Sequence, residues 1–172
     1  TDDTKKIVAS MAVWDSRIKI LETKGSHPQG SAVARNIGLL KAQAPFIAFL
    51  DADDYYLPNR FQYTKAIFSK NNELTAVIES VDMEDAYGLN TGSCRQEHKD
   101  GNSLALDFFR FNNRGPHLNG LTISRGVFPH MTFDEELFYS QDTLFFTQLF
   151  LTQKVSGPID STPVAKYCIH GN

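Results

Sequence analysis

Three carboxylates, Asp51, Asp53 and Asp54, follow directly on the apolar run Ile47-Ala48-Phe49-Leu50. Carboxylates are almost never buried without a cationic partner or a metal, so a strand ending in three of them ends at a cation or at water. In an open α/β sheet, ligands collect in the crevice beyond the carboxyl ends of the strands. With the chain extended through residue 53, the side chains of Asp51 and Asp53 point to one side. Two hard oxygen anions there suit Mg2+ or Mn2+, ions that take one or two carboxylates and complete their shell with water and substrate phosphate. The chemistry this spacing offers is diphosphate binding. The plainer alternative makes Asp53 or Asp54 the cap of a helix starting near Leu57, with the other carboxylates solvated.

The elements that must hold these residues follow from hydrophobic periodicity. Asp2 or Asp3 is predicted to cap a first helix that carries Ile7, Val8, Met11 and Ala12 on one face and ends near Asp15, with Trp14 as a packing residue. A strand over 18–22, a loop over 25–30 and a helix over 31–41 with Val33, Ile37 and Leu40 at helical spacing come next. The short apolar run 46–50 reads as a strand covered on both faces. Pro58 suits the first turn of a helix that continues over 61–70. Strands over 74–79, 121–124 and 164–169 and helices over 103–112 and 141–152 complete the pattern, with a polar stretch of strand ends and loops over 82–101. Alternating strands and helices predict an α/β sandwich around a mainly parallel central sheet.

At 172 residues the chain fits a single domain over 1–172. Its 41% hydrophobic and 22% charged residues exclude a disordered chain. Lys and Arg number 17 against 20 for Asp and Glu, a net charge of -3 with no basic run, which speaks against a nucleic-acid partner. No apolar run approaches the ~20 residues of a membrane-spanning helix, and the polar opening is no signal peptide. Cys94 and Cys168 lie far apart without metal-ligand spacing, in keeping with a cytoplasmic chain.

Longer motifs sharpen the reading. The run Gly30-Ser31-Ala32-Val33-Ala34-Arg35-Asn36-Ile37-Gly38, the strand ending in Asp51-Ala52-Asp53-Asp54 and the pair Leu57-Pro58 together resemble family 2 glycosyltransferases of the GT-A fold. In that family an Ala-Arg-Asn helix precedes an Asp-x-Asp-Asp strand end. Asn119-Gly120-Leu121-Thr122-Ile123-Ser124-Arg125 is similar to the glycine-containing strand beside the donor sugar. Phe133-Asp134-Glu135-Glu136-Leu137 with Ser140-Gln141-Asp142 is similar to the segment that carries the catalytic base, and Tyr167-Cys168-Ile169-His170 to the terminal Tyr-Arg-x-His. The resemblance implies a Rossmann-like GT-A sandwich and an inverting, metal-dependent transfer of a sugar from a nucleotide-diphosphate sugar, a UDP-sugar first, to an acceptor hydroxyl. It implies that Asp51 contacts the ribose or the metal shell, that Asp53 ligates Mn2+ or Mg2+ with His170 as a further ligand, that Arg35 and Gly120 belong to the donor site, and that Asp142 is the general base. A helix N-terminus there favours the ionised form that a base needs. By analogy with bacterial members, the acceptor is a saccharide or lipid-linked saccharide of cell-surface polysaccharide synthesis, handled at the inner face of the membrane.

Each residue has a blander alternative: a solvated ion pair for Arg35, a helix-end charge for Asp142, close packing for Gly120 and a frayed terminus for His170. His27, His98, His117 and His130 show no ligand spacing. The chain departs from the family at Gln141, where Glu is usual, and at its start, where Thr1-Asp2-Asp3-Thr4 resembles the end of the segment after the family's second strand. A strand-helix-strand unit is therefore expected to be missing, leaving a sheet edge open to self-association. Two rivals remain: a non-catalytic nucleotide- or carbohydrate-binding module, and a haloacid-dehalogenase-like phosphatase with Asp51 as nucleophile, whose pattern has Thr or Val where Tyr55 stands. An EF-hand is excluded, since Tyr55 and Tyr56 occupy its fifth-ligand and glycine positions.

Overall fold

Helix α2 (Gly30–Lys41) shows how sequence becomes fold in this chain. Its buried positions are Ala32 and Leu39, two turns apart, and between them on the same face lie Arg35 and Asn36. The expected Val33, Ile37 and Leu40 stripe is not the buried one: Leu40 is 60% exposed. The helix is turned so that its small and polar residues face inward, where Arg35 and Asn36 have partners. The computed structural model describes residues 3–23, 30–97, 99–111 and 115–170. Asp2, His27, His98, Asn112 and all of the predicted loop but Gly30 lie outside them.

Helix α1 (Thr4–Trp14) forms where periodicity placed it, but Asp3 makes no side-chain cap; its carboxylate accepts from Lys6 Nζ at 2.9 Å instead. No residue of α1 is buried, and Trp14 is 91% exposed, so it is not the packing residue expected. Residues 18–22 form no strand, because no neighbouring strand exchanges hydrogen bonds with them.

Among the described residues, eight strands form two four-stranded sheets. The first has the order β1 (Phe46–Ala48), β6 (Leu121–Ser124), β3 (Ala76–Ile78), β7 (Val155–Ser156); the second has β2 (Tyr55–Tyr56), β8 (Ala165–Ile169), β4 (Val81–Asp85), β5 (Asn90–Cys94). The sheets are mixed rather than mainly parallel. Strand β6 runs against both β1 and β3, so these two are parallel to each other but separated. Among the described residues, only β3 with β7 and β4 with β8 pair in parallel. The polar stretch after residue 80 is a hairpin, β4 to β5, whose turn is closed by Asp85 accepting from the Tyr87 and Leu89 N–H groups. Its alternation escaped the sequence because its side chains are mostly half-buried. At a sheet edge, β1 leaves Phe46 and Leu50 about half exposed instead of covered.

Helices α3 (Gln62–Lys70), α4 (Gly101–Phe109) and α5 (Gln141–Thr152) flank the sheets. Asp100 caps α4 by accepting from the Ser103 N–H at 2.9 Å. The main core joins Ala32 and Leu39 of α2 to Phe145, Phe146 and Leu149 of α5 across Ile78, Leu121 and Ile123 of the first sheet. Phe133 stacks on Phe145 with centroids 4.3 Å apart and meets Phe49 edge-on at 5.7 Å. This aromatic cluster packs the segment after β1 against the start of α5, with Arg35 from the middle of α2 over the Phe133 ring, and so gathers the parts of the chain that carry Asp51, Arg35 and Asp142. No helix among the described residues is long and apolar enough to cross a membrane.

Candidate active site

The carboxylates after β1 do not stay extended. The Asp54 N–H bonds to the Asp51 carbonyl at 3.2 Å, closing a turn, and the three side chains part. Asp51 Oδ1 accepts from Arg35 Nη2 at 2.8 Å. Asp54 accepts from Asn119 Nδ2 at 2.6 Å and from the Cys168 N–H at 2.8 Å, so it is a clamp between strand ends and not a helix cap. Asp53 faces solvent, its Oδ2 lying 3.4 Å from His170 Nε2. The predicted convergence of Asp51 and Asp53 is replaced by a turn that sends one to α2 and the other to the chain's last strand.

Arg35 is the hinge of the site. Its side chain is 14% exposed, its Cζ lies 5.3 Å above the Phe133 ring, and its second nitrogen donates to Asp142 Oδ1 at 3.0 Å. Arg35, Asp51 and Asp142 are thus one cluster, though 107 residues separate the first from the last. Asp142 stands in the first turn of α5, as expected. Burial pushes its carboxyl above the ordinary value, the Arg35 guanidinium pulls it back, and the negative charge of Asp51 pushes it up further. Desolvation and the Asp51 charge together therefore outweigh the pull of Arg35 and of His117.

Several residues to which the motifs assigned no role hold this cluster in place. Asn36 donates to the Phe133 carbonyl at 2.9 Å and to Glu135 at 2.8 Å, and accepts from the Phe133 N–H at 2.8 Å, pinning the segment that leads to Asp142. Asn119, wholly buried, accepts from the Asp51 N–H at 3.3 Å while clamping Asp54. A buried Asn between Leu118 and Gly120 was the available signal, because an amide in an apolar run must find partners. His117 stacks on Tyr167 at 4.8 Å and accepts the Asn119 N–H through Nδ1. Burial pushes its imidazole below the usual value, against the pull of Asp54, Asp51 and Asp142.

Below the turn lies a buried ion pair, Arg60 with Glu79, at 2.6 Å and with side chains 3% and 1% exposed. Arg60 Nε donates to the Asn119 carbonyl at 3.2 Å, its Nη2 donates to Leu121 O and Thr122 Oγ1, and Thr64 Oγ1 donates to Glu79. Nothing in the sequence marks Arg60, which reads as the surface residue of a helix start.

Gly120 is buried in the 3-10 turn Leu118–Gly120, and its carbonyl accepts from the Glu79 N–H at 3.0 Å. A Cβ there would collide with the Glu79 carbonyl oxygen. Gly120→Ala is therefore expected to destabilise the fold by about 1–3 kcal/mol, read as a lower midpoint in urea with an unchanged slope.

Among the described residues no group of three His, Cys, Asp or Glu side chains gathers closely enough to hold a metal ion. Asp53 and His170 offer one carboxylate and one imidazole with side chains 53% and 65% exposed. That donor set fits a divalent ion such as Mn2+ whose remaining ligands are water and substrate phosphate.

A family model described as glycosyl transferase family 2 matches residues 1–134. The UDP-Glc:alpha-D-GlcNAc-diphosphoundecaprenol beta-1,3-glucosyltransferase WfgD of Escherichia coli is 43% identical over 58 residues, 34% of this chain and 22% of that protein. The minor teichoic acid biosynthesis protein GgaA of Bacillus subtilis is 26% identical over 160 residues, 86% of this chain and 33% of that protein. TarS 1-349 of S. aureus in complex with UDP-GlcNAc superimposes with a TM-score of 0.76 at 18% identity, over 100% of this chain and 48% of that one. The chain thus spans less than half the length of these relatives, and at this identity the structural likeness gives the fold, GT-A.

Proposed function

The chain belongs to glycosyl transferase family 2, and from that membership we propose that it transfers a sugar from a nucleoside diphosphate sugar to a saccharide hydroxyl with inversion. The observation that carries this reading is the Arg35 guanidinium, which joins Asp51, just after β1, to Asp142 on α5 in one ion-paired cluster. Asp142 accepts the acceptor's hydroxyl proton as that oxygen bonds to the anomeric carbon. The bond from that carbon to the phosphate oxygen breaks, and the nucleoside diphosphate leaves with the electron pair. Asp51 faces the nucleoside end of the donor, Gly120 keeps the Asn119 turn close against the sheet below the donor site, and Arg35 sits between donor and base, opposing the upward shift that burial imposes on Asp142.

Asp53 and His170 would hold Mn2+ or Mg2+, which supplies Lewis-acid stabilisation of the departing diphosphate when bound. UDP is the first nucleotide to test, since the names of the E. coli relative and of the TarS complex both carry it. The same E. coli name, with its diphosphoundecaprenol acceptor, and the teichoic acid role of GgaA support a surface-polysaccharide acceptor. A lipid-linked acceptor of that kind would bring the chain to the cytoplasmic face of a membrane.

The test is thermal stabilisation by UDP, GDP and dTDP, each with and without Mn2+. UDP at a hundredfold excess over its dissociation constant is expected to add about 2.7 kcal/mol of stability. That gain is expected only with metal, and Asp53→Asn should abolish it. A shift that ignores metal and survives Asp53→Asn removes the metal-binding role, and no shift with any diphosphate removes donor binding from this chain.

A further inference from the structure

Phe138 and Tyr139 are 92% and 85% exposed, two adjacent large aromatics turned to water four and three residues before Asp142. They border a cavity of about 370 Å3 that also reaches Ser31, Arg35, Gln141 and Asp142. Phe138 lines a second cavity, of about 600 Å3, that shares Ser31 and Gln141 with the first. Both volumes fall in the range of small-ligand sites. Of the described residues that line them, Asp142 belongs to the proposed chemistry, whereas Asp51 and Asp53 do not border either.

The segment that presents the two rings is fixed. Gln141 Nε2 donates to the Leu137 carbonyl, and Gln141 Oε1 accepts from Ser31 Oγ at 2.8 Å. Ser140 between them takes a left-handed conformation, φ 59 and ψ 21, uncommon outside glycine. A carboxylate at position 141 could still accept from Ser31 but would have no proton to give the Leu137 carbonyl, so the amide found here is what ties the loop before α5 back to that helix's first residue. Exposed aromatics on a backbone held this way are prepared for a ligand, since apolar area of this size is otherwise withdrawn from water.

We propose that Phe138 and Tyr139 form the acceptor platform, taking the C–H face of a saccharide ring so that one of its hydroxyls meets Asp142. The chemistry matches on both sides of a pyranose. Its axial hydrogens are weakly positive and suit the negative face of an aromatic ring, and its hydroxyls find the Ser31 hydroxyl and Gln141 amide at the rim. The inference rests on the transferase reading for the identity of its ligand as acceptor. Gln141 acts as a positioning residue, through the loop.

Methyl α-N-acetylglucosaminide and methyl α-glucoside, titrated into the chain and followed by saturation-transfer NMR, test the platform. At least one is expected to bind the native chain in the presence of UDP, and Phe138→Ala and Tyr139→Ala are each expected to weaken it about tenfold. Tyr139→Phe should retain it, and the UDP-induced melting shift should persist in all three. Gln141→Glu is expected to weaken the sugar as well without moving the UDP shift. Binding that is untouched in both alanine variants, or absent from the native chain for both sugars, overturns the proposal. So does loss of binding to vesicles of phosphatidylglycerol and phosphatidylcholine with sugar binding intact, which would make the pair a membrane contact. Sugar binding that depends on the two rings in a chain that UDP does not stabilise would instead leave the platform standing and remove the transferase reading.

Discussion

Asp142→Asn is expected to lower sugar transfer by about 10²–10⁴-fold, the usual contribution of a positioned general base, while UDP and Mn2+ stabilise the variant as they do the native chain. The side chain is 43% exposed and its one strong partner is Arg35, so an amide of the same shape leaves the fold intact. The pH profile gives a second readout. A base works only when deprotonated, and burial holds the Asp142 carboxyl above its ordinary value, so activity should rise with pH through an acid limb shifted up from the ordinary aspartate value. Arg35 opposes that shift. Arg35→Gln should therefore move the limb to higher pH, beyond any effect on donor affinity. A limb that stays in place in Arg35→Gln would remove Arg35 from control of the base, and unchanged transfer in Asp142→Asn would remove Asp142 from the chemistry.

Arg60→Met carries the largest expected cost in stability. The pair it breaks is buried on both sides, and leaving one buried charge alone costs about 3–5 kcal/mol, or roughly 6–20 °C in melting temperature at about 2–4 °C per kcal/mol. The loss should depend on pH in a direction that identifies its cause. Burial already pushes Glu79 above the ordinary carboxylate value, and Arg60 is one of the groups that pull it back. Without Arg60 the folded chain holds the Glu79 proton more tightly than the unfolded chain does. Stability in the variant is then greatest below the ordinary carboxylate pKa and falls as pH rises through the raised folded value. Thermal melts at pH 5 and pH 8 read this directly, with the variant closer to the native chain at the lower pH. Arg60→Met with Glu79→Met should recover most of the loss, because no buried charge then remains. Because Arg60 also holds the Asn119 carbonyl, the single variant should bind UDP less well even below its melting point. Equal losses at both pH values would point to packing of the guanidinium on Tyr56 and Phe61 as its main role.

The sequence by itself determined the local elements and the identity of the chemical groups. Helix α5 begins at Gln141 and ends at Thr152, as its apolar periodicity predicts, and the strand over 121–124 stands where its run of apolar residues places it. These features are legible because they depend on neighbours three or four residues away, or on alternation within one strand. The motifs likewise named Arg35, Asp51 and Asp142, and the family match supports the resemblance from which they came. Tertiary structure alone decided how the groups meet. The direction of β6 between β1 and β3 makes the sheets mixed, which no local pattern encodes. The turn closed by Asp54 separates Asp51 from Asp53, and it exists because Asn119 and the Cys168 N–H, far along the chain, clamp Asp54. The inward face of α2 was misread for the same reason: a polar residue can face a core only when distant residues satisfy it, and for Arg35 and Asn36 those are Asp51, Asp142 and Phe133. Local periodicity reports where apolar side chains can be buried, whereas buried charge is decided by partners that only the folded chain brings within reach.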